Sequence, residues 1–129
     1  MRVILVIFLS LSSAIAQACF APRGGPEYDA LIDLKQLEEP NTYRVTVPSQ
    51  LEDLQKAEIM LAYSKDHAGG VPVYDAFETL KAREINGKLS ATFTVEHREN
   101  KKPYIVVMWW PKVCCPCGIQ ANTKFLEVE

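Results

Sequence analysis

The chain has little that would support conventional catalysis. It lacks a Gly-x-Ser-x-Gly nucleophile turn, a His-Glu-x-x-His zinc helix and a phosphate-cradling glycine loop followed by Lys. Histidine, the side chain used most often for acid–base catalysis, occurs only at His67 and His97, each in a polar context typical of a solvated residue. The sequence therefore predicts a protein that is not an enzyme and holds no cofactor, with thiol–disulfide redox activity as the alternative.

Clustered positive charge is also missing. The 14 Lys and Arg residues are interspersed with 16 Asp and Glu residues, and the net charge is -2. Because binding to phosphates needs grouped Lys and Arg, this composition argues against nucleic acid as a partner. The pair Lys101-Lys102 is too short to change that conclusion and predicts a solvated turn.

The chain has no apolar run long enough to span a membrane. Its longest, Val3–Leu11, is about half the ~20 residues that a spanning helix needs. Arg2 precedes this run and the small-x-small triplet Ala16–Ala18 follows it, which is the pattern of a cleaved signal peptide over residues 1–18. We therefore expect an exported protein, secreted or periplasmic. Cleavage would leave Cys19 first, so a lipid anchor on Cys19 is the alternative, although the residues before it fit a lipoprotein signal poorly.

Residues 19–129 have the length of one domain, and alternating apolar residues through them predict β-strands. The strands are expected at Tyr28–Lys35, Tyr43–Val47, Ala57–Tyr63, Leu89–Val95, Tyr104–Trp110 and Lys124–Glu129. A Ser-x-x-Glu capping box predicts one or two helical turns over Gln50–Gln55. The segment Tyr74–Ala82 is expected to be extended, with a helix as the alternative, and to lead into a hairpin at Asn86-Gly87.

About seven short strands without intervening helices are typical of an all-β, single antiparallel two-sheet sandwich, with a small Greek-key barrel as the alternative. Tyr104–Trp110 is apolar on both alternating faces, which predicts a central strand covered on both sides. Tyr104 near the start of this strand looks like the tyrosine that pins a corner in immunoglobulin-like and fibronectin type III-like sandwiches. The order of features thus resembles those folds, although the immunoglobulin cysteine pair is absent from Tyr43–Val47 and Tyr104–Trp110.

The four cysteines predict a covalent clasp between the two ends of the domain. Pairing Cys19 with Cys117 leaves the adjacent Cys114 and Cys115 to form a strained ring, and pairing it with Cys114 leaves a cramped one-residue loop. Pairing Cys19 with Cys115 leaves Cys114 and Cys117, whose two-residue gap closes comfortably. The expected bonds are therefore Cys19–Cys115 and Cys114–Cys117, and they favour a non-catalytic binding or structural module.

The same cluster has two chemical alternatives. Cys114–Cys117 resembles the Cys-x-Pro-Cys redox motif of thioredoxin-like proteins, but only Gly118–Glu129 follow it, which is too little chain for that fold. A soft ion such as Cu(I) is the second alternative, held by Cys114, Cys115 and Cys117, with Cys19, Met108 or a histidine completing the shell.

Trp109 and Trp110 provide the other candidate site. Adjacent residues of a strand point to opposite faces, so at most one of the two rings can enter the same core layer. Burial of both rings is the favoured interpretation, and the alternative is an outward ring that offers a contact surface for a protein or a carbohydrate partner.

Overall fold

The computed structural model describes residues 22–65, 76–112 and 118–129. These residues form α1 (Pro26–Asp29), β1 (Asp33–Gln36), β2 (Thr42–Pro48), β3 (Glu58–Ser64), β4 (Ala76–Thr79), β5 (Arg83–Ile85), β6 (Lys88–Thr94), β7 (Lys102–Trp109) and β8 (Ile119–Asn122). The strands make two antiparallel four-stranded sheets, with the spatial orders β1-β2-β6-β5 and β4-β3-β7-β8. This confirms the predicted all-β two-sheet sandwich, and over the described residues neither sheet closes into a barrel.

The hydrophobic core lies between the two sheets and follows the two-residue period of the strands. In β2, Tyr43, Val45 and Val47 are buried, whereas Arg44 between them is exposed. The buried core consists of Tyr43, Val45, Val47, Leu54, Ile59, Leu61, Tyr63, Leu89, Ala91, Phe93, Val95, Ile105, Val107, Trp109, Ile119, Ala121 and Leu126. Because each fully buried aliphatic side chain contributes about 1.5–3 kcal/mol, contacts across the two sheets dominate the stability of the fold.

β7 is the central strand that its apolar sequence predicts. It pairs with β3 on one side and with β8 on the other, and every residue from Pro103 to Trp109 is buried. Its odd-numbered side chains enter the core, while the even-numbered ones join a second apolar cluster on the outer face of the β4-β3-β7-β8 sheet. That cluster contains Met60, Ala62, Tyr104, Val106 and Met108.

The Asn86-Gly87 hairpin is confirmed between β5 and β6. Asn86 and Gly87 have φ values of 51° and 76°, which are the left-handed conformations that this turn requires. Ile85 and Lys88 pair directly across it. Within the segment expected to be extended, Tyr74–Ala82, β4 covers Ala76–Thr79 and pairs with β3, while Tyr74 and Asp75 lie outside the described residues. The chain then crosses to β5 in the other sheet.

The strand predicted over Tyr28–Lys35 is wrong in its first half. Pro26 occupies the first turn of α1, where its fixed φ suits a helix and its missing N–H costs no hydrogen bond. The backbone N–H of Ala30 donates to the Pro26 carbonyl (3.0 Å), and Asp29 Oδ1 accepts from the N–H of Asn122 in β8 (3.0 Å). The extended conformation therefore begins only at Asp33.

The helical turns predicted over Gln50–Gln55 are also absent, and a turn takes their place. Glu52 has a φ of 51°, which is incompatible with a right-handed helix. The Ser49 N–H donates to the Gly87 carbonyl (2.9 Å) and the Gln55 N–H to the Trp110 carbonyl (2.8 Å). These long-range bonds hold both ends of the segment, so the local capping signal is overridden.

The last strand lies earlier than predicted, at β8 rather than at Lys124–Glu129. Beyond β8 the chain stays beside β7 without forming a regular ladder. The Ile105 N–H donates to Thr123 Oγ1 (2.9 Å), and the Leu126 N–H donates to the Pro103 carbonyl (2.8 Å). A side-chain oxygen replaces a backbone carbonyl in the first of these bonds, and the regular pairing ends there.

Candidate functional site

The predicted cysteine sites, Cys19, Cys114, Cys115 and Cys117, lie outside the described residues, as does His67. His97 is described and is exposed. Within residues 22–65, 76–112 and 118–129, no three His, Cys, Asp or Glu side chains are grouped as a metal site would need. No helix in these ranges is long and apolar enough to cross a membrane.

The two adjacent tryptophans lie in different environments, on opposite faces of the sheet. Trp109 is fully buried in the core, where its indole N–H donates to the Pro48 carbonyl at the end of β2 (3.0 Å) and so joins the two sheets. Trp110 directly follows β7 and is 44% exposed. Of the two predicted contact residues, therefore, only Trp110 is accessible to a partner.

Trp110 borders a cavity of about 300 Å³ on the outer face of the β4-β3-β7-β8 sheet, which we call the outer groove. Met60 of β3 and Val106 and Met108 of β7 contribute its apolar lining. Phe77 of β4 also lines it and is 56% exposed. The groove exists because β3 and β7 carry apolar side chains on both faces, so the sheet is apolar on its outer side as well as toward the core.

The Trp110 ring is held in place by a carboxylate. Glu58, the first residue of β3, accepts a hydrogen bond from the Trp110 indole N–H at 2.7 Å through Oε2. Its other oxygen, Oε1, accepts from the Thr79 hydroxyl of β4 at 3.1 Å. Because both oxygens are engaged, Glu58 links three elements of the sheet and restricts the rotation of an exposed aromatic ring.

The two halves of the outer face are bordered by different aromatic rings. Phe125, in the segment after β8, packs edge-on against Tyr104 with ring centroids 5.8 Å apart. Toward the end of β7, Val106 and Met108 are buried, and Trp110 and Phe77 are the exposed apolar residues of the lining. The outer groove therefore has a buried floor and two exposed aromatic rings at its rim.

The chain segments that lead to the cysteines meet beside this groove. The Arg23 N–H donates to the Gly118 carbonyl (2.9 Å), and the Gln120 N–H donates to the Arg23 carbonyl (2.8 Å), which forms a parallel bridge between Arg23 and Ile119. Pro22 and Gln120 both line the groove. The Arg23 guanidinium also bonds Glu52 at 2.7 Å, and this hydrogen bond raises the pKa of Arg23.

Most side chains of this site, among them Glu58, Met60 and Phe77, were not predicted from the sequence. Strand periodicity assigned Glu58 and Met60 to the less buried face of β3, which is where they lie, but gave no reason to group them with Trp110. The signal that indicates the site is that both Ile59–Tyr63 and Tyr104–Trp110 are apolar at nearly every position. Comparison with protein-family models, curated proteins and solved structures finds no match to this chain.

Proposed function

We propose that this protein is an exported, non-catalytic binding module that engages a protein partner through the outer groove. The observation that carries the proposal is the exposed Trp110 ring, fixed by Glu58 at the edge of an apolar cavity. Trp, Phe and Met are enriched at protein interfaces, and an aromatic ring that is already held loses little conformational entropy on binding.

The groove favours a protein over a carbohydrate partner because its lining is mainly apolar. The exposed Phe77 and Trp110 rings offer surface for apolar side chains, and the buried Val106 and the two methionines form an apolar floor between them. Only Glu58 and Gln120 add polar groups, and the Glu58 carboxylate already accepts two hydrogen bonds. A carbohydrate partner, whose hydroxyls need several hydrogen-bonding groups, fits less well.

We further propose that the sandwich is immunoglobulin-like or fibronectin type III-like. If β4 is set aside as an additional edge strand, the other seven strands can be lettered A to G in chain order. Their spatial orders are then A-B-E-D in one sheet and C-F-G in the other, as in the immunoglobulin fold. This order supports the resemblance noted from the sequence. Since many unrelated functions share such folds, the proposed binding role rests on the groove and not on the fold.

Export is proposed from the signal-peptide pattern of residues 1–18, with the mature domain at 19–129. The expected disulfides agree with an oxidising compartment. A lipid anchor on Cys19, which would fix the module to the cell envelope, remains the alternative form of export.

The parallel bridge between Arg23 and Ile119 brings together the described ends of the two segments that lead to Cys19 and Cys115, which agrees with the proposed bond between them. Cys19 and Cys115 are 96 positions apart in the chain. A bond that closes so long a loop contributes about 4–5 kcal/mol in the chain-entropy model.

The second candidate function is thiol-based, either dithiol redox or binding of Cu(I) by Cys114, Cys115 and Cys117. One described feature favours the metal form: Met60 and Met108 place two thioethers, which are ligands for soft ions, in the outer groove. Met108 also lies beside Gly118, because a β-carbon added at Gly118 would be 3.1 Å from the Met108 methyl carbon.

Intact mass spectrometry of the natively purified mature protein, with and without reduction and thiol alkylation, distinguishes these functions. The binding-module proposal expects four oxidised cysteines and no alkylation before reduction. A retained copper ion, or alkylation of Cys114 and Cys117 in the native protein, would support the thiol-based function instead. A diacylglycerol mass on Cys19 would identify the lipid-anchored form.

The groove itself is tested by immobilising the mature protein and measuring which extracellular proteins and glycans it retains. We compare wild type with Phe77→Ala/Trp110→Ala and with the control Ile85→Ala, which removes a similarly exposed side chain (58%) from the other sheet. A protein retained by wild type and Ile85→Ala but lost by the double variant supports the proposal. Equal retention by all three contradicts it, and a glycan lost in the same way would replace the protein partner.

A further inference from the structure

A second and larger cavity, of about 510 Å³, lies at the opposite end of β7 from the outer groove, and we call it the basic cavity. Four cationic side chains line it, from Lys65, Arg98, Lys101 and Lys102, and His97 lines it as well. In a chain whose net charge is -2, this is a strong local excess of positive charge.

The antiparallel pairing of β3 with β7 assembles this cluster. Ser64, the last residue of β3, pairs with Lys102, the first residue of β7. Lys65 and Lys101 each lie one residue further, at the same end of the sheet. Arg98 joins them because it forms an isolated bridge with Lys101 in the connection from β6 to β7. Cations that are far apart in the sequence are therefore brought to one cavity.

Two of the cations are positioned by aromatic rings. The Arg98 guanidinium carbon lies 3.9 Å from the centroid of the Tyr63 ring, and the Lys102 Nζ lies 5.5 Å from that of Phe125. Tyr63 is itself fixed, since it is buried and its hydroxyl accepts a hydrogen bond from the Glu96 N–H (3.3 Å). Two of the four positive charges, those of Arg98 and Lys102, are thus positioned before any ligand binds.

None of these cations has a carboxylate partner in the described part of the chain. The ion pairs there join Arg23 to Glu52 and Lys56 to Glu84, both outside the basic cavity. Neighbouring Glu96 and Glu99 are exposed and form no ion pair with the cavity cations. Like charges at adjacent positions of paired strands repel one another, so an anion bound between them would relieve an unfavourable interaction.

Apart from Asn100, the rest of the lining is aliphatic. Pro103, Leu126 and Val128 form one side of the basic cavity. The C-terminal segment is held by the Leu126 N–H, which donates to the Pro103 carbonyl (2.8 Å), and by the Glu129 N–H, which donates to Asn41 Oδ1 (2.8 Å). A ligand therefore meets both a cationic and an aliphatic surface.

We propose that the basic cavity binds a multiply anionic saccharide, that is, a sugar carrying sulfate or phosphate groups. Four cations need a ligand with several negative charges, and guanidinium and ammonium groups bind the oxygens of both esters. The aliphatic side suits the C–H surface of a sugar. A nucleotide fits less well, because the nearby rings of Tyr63 and Phe125 already face Arg98 and Lys102 and leave no platform for a base.

The volume is that of a small-molecule site, in which about 300–1,000 Å³ is usual. This site is separate from the outer groove, and the inference does not depend on the function proposed for that groove. The mature protein is titrated calorimetrically with sucrose octasulfate and with fructose 1,6-bisphosphate, in about 0.15 M salt to screen weak surface attraction. Sucrose and inorganic sulfate are the control ligands.

The test variant is Lys65→Gln/Lys101→Gln, and its matched control is Arg83→Gln/Lys88→Gln, which removes the same charge from exposed positions on β5 and β6. We expect at least one anionic sugar to bind wild type and the control equally, and the test variant to bind it about tenfold or more weakly. Arg98→Lys, which keeps the charge but loses the planar donor fork, should weaken binding less. Circular dichroism of each variant verifies the fold.

Binding to neither anionic sugar overturns the proposal, as does inorganic sulfate binding as tightly as the sugars, because the saccharide body would then contribute nothing. An equal loss of affinity in the test and control variants also overturns it, since attraction would then depend on overall charge. If only one of the two anionic sugars binds, that result supports the proposal and shows which combination of ester, charge and sugar size the cavity accepts.

Discussion

Replacement of Trp109 by Phe should be far more damaging than the same replacement at Trp110. Trp109 is fully buried, and its indole N–H satisfies the Pro48 carbonyl. Phe removes two ring carbons, which costs about 1.6 kcal/mol at ~0.8 kcal/mol for each buried carbon. The carbonyl that loses its donor costs a further ~1–3 kcal/mol. The free energy of unfolding should therefore fall by about 3–5 kcal/mol, a large share of the ~5–15 kcal/mol typical of a domain.

Trp110→Phe is the matched control because it changes the same side chain one residue away. Trp110 is 44% exposed, so the loss of its bond to Glu58 should cost about 0.5 kcal/mol or less. Since the chain has only two tryptophans, each variant keeps a single one. Fluorescence should therefore show a blue-shifted, buried emitter in Trp110→Phe and a red-shifted one in Trp109→Phe.

Urea unfolding followed by far-ultraviolet circular dichroism measures the two free energies, with any disulfides left intact in every sample. Equal destabilisation by the two substitutions would refute the assignment of Trp109 to the core and of Trp110 to the surface. Similar emission maxima from the two variants would refute it independently, without reference to stability.

Three further predictions concern single contacts. Gly118→Ala should lower the free energy of unfolding by about 1–3 kcal/mol, because the added β-carbon would overlap the Trp109 carbonyl oxygen. Urea titration measures this loss, and an unchanged urea midpoint would contradict the close approach of Gly118 to Trp109. Gly87→Ala should cost about 1 kcal/mol in the same assay, because φ is 76° there although the space around it is open; a stabilised variant would be inconsistent with the turn. A hydrogen bond from Lys56 lowers the pKa of Glu84 in the folded state. The ionised Glu84 carboxylate therefore stabilises the fold at pH values above the pKa of the unfolded chain. This stabilisation is lost as the pH falls through the lowered pKa of the folded state. Glu84→Gln should therefore melt below wild type near pH 7 and together with it near pH 2, and a difference that persists in acid would argue against this ion pair.

The elements predicted well are those whose signal is local and whose tertiary setting agrees with it. The Asn86-Gly87 turn needs two left-handed residues, and the sequence supplies the two residue types that tolerate them best. β7 is identifiable because a strand apolar on both faces must be covered on both faces. β6 alternates regularly because it has one core face and one exposed face.

The elements predicted wrongly are those in which distant contacts decide. Gln50–Gln55 carries a helix-capping signal, but the bonds from Ser49 to Gly87 and from Gln55 to Trp110 determine its path. In Lys124–Glu129 the alternation is strand-like, yet no regular partner remains beside β7 after Thr123 replaces a backbone acceptor. Local pattern indicates what a segment favours in isolation, and tertiary hydrogen bonds select among those conformations.

The candidate sites follow the same division between local and distant information. Strand alternation predicted that the two tryptophans lie on opposite faces, but it identified neither ring as the outward one nor showed that an outward ring is accessible. Glu58, the partner of Trp110, was not predictable either, because the bond depends on the register of β3 against β7, in which Glu58 pairs with Met108. The basic cavity was equally hidden: Lys101-Lys102 was interpreted as a solvated turn, and only the pairing of Ser64 with Lys102 brings Lys65 beside it.

The two cavities differ in character because β7 meets different neighbours at its two ends. At the start of β7, Lys65 after β3 and Arg98 after β6 bring positive charges to the cavity. The C-terminal segment contributes its aliphatic side. At the end of β7, the outer face of the sheet is apolar, Phe77 and Trp110 are exposed at the rim of the groove, and Glu58 holds the Trp110 indole ring by a hydrogen bond. A ligand at one end would therefore be held by charge and one at the other by apolar contact, so added salt should weaken the first interaction strongly and leave the second nearly unchanged.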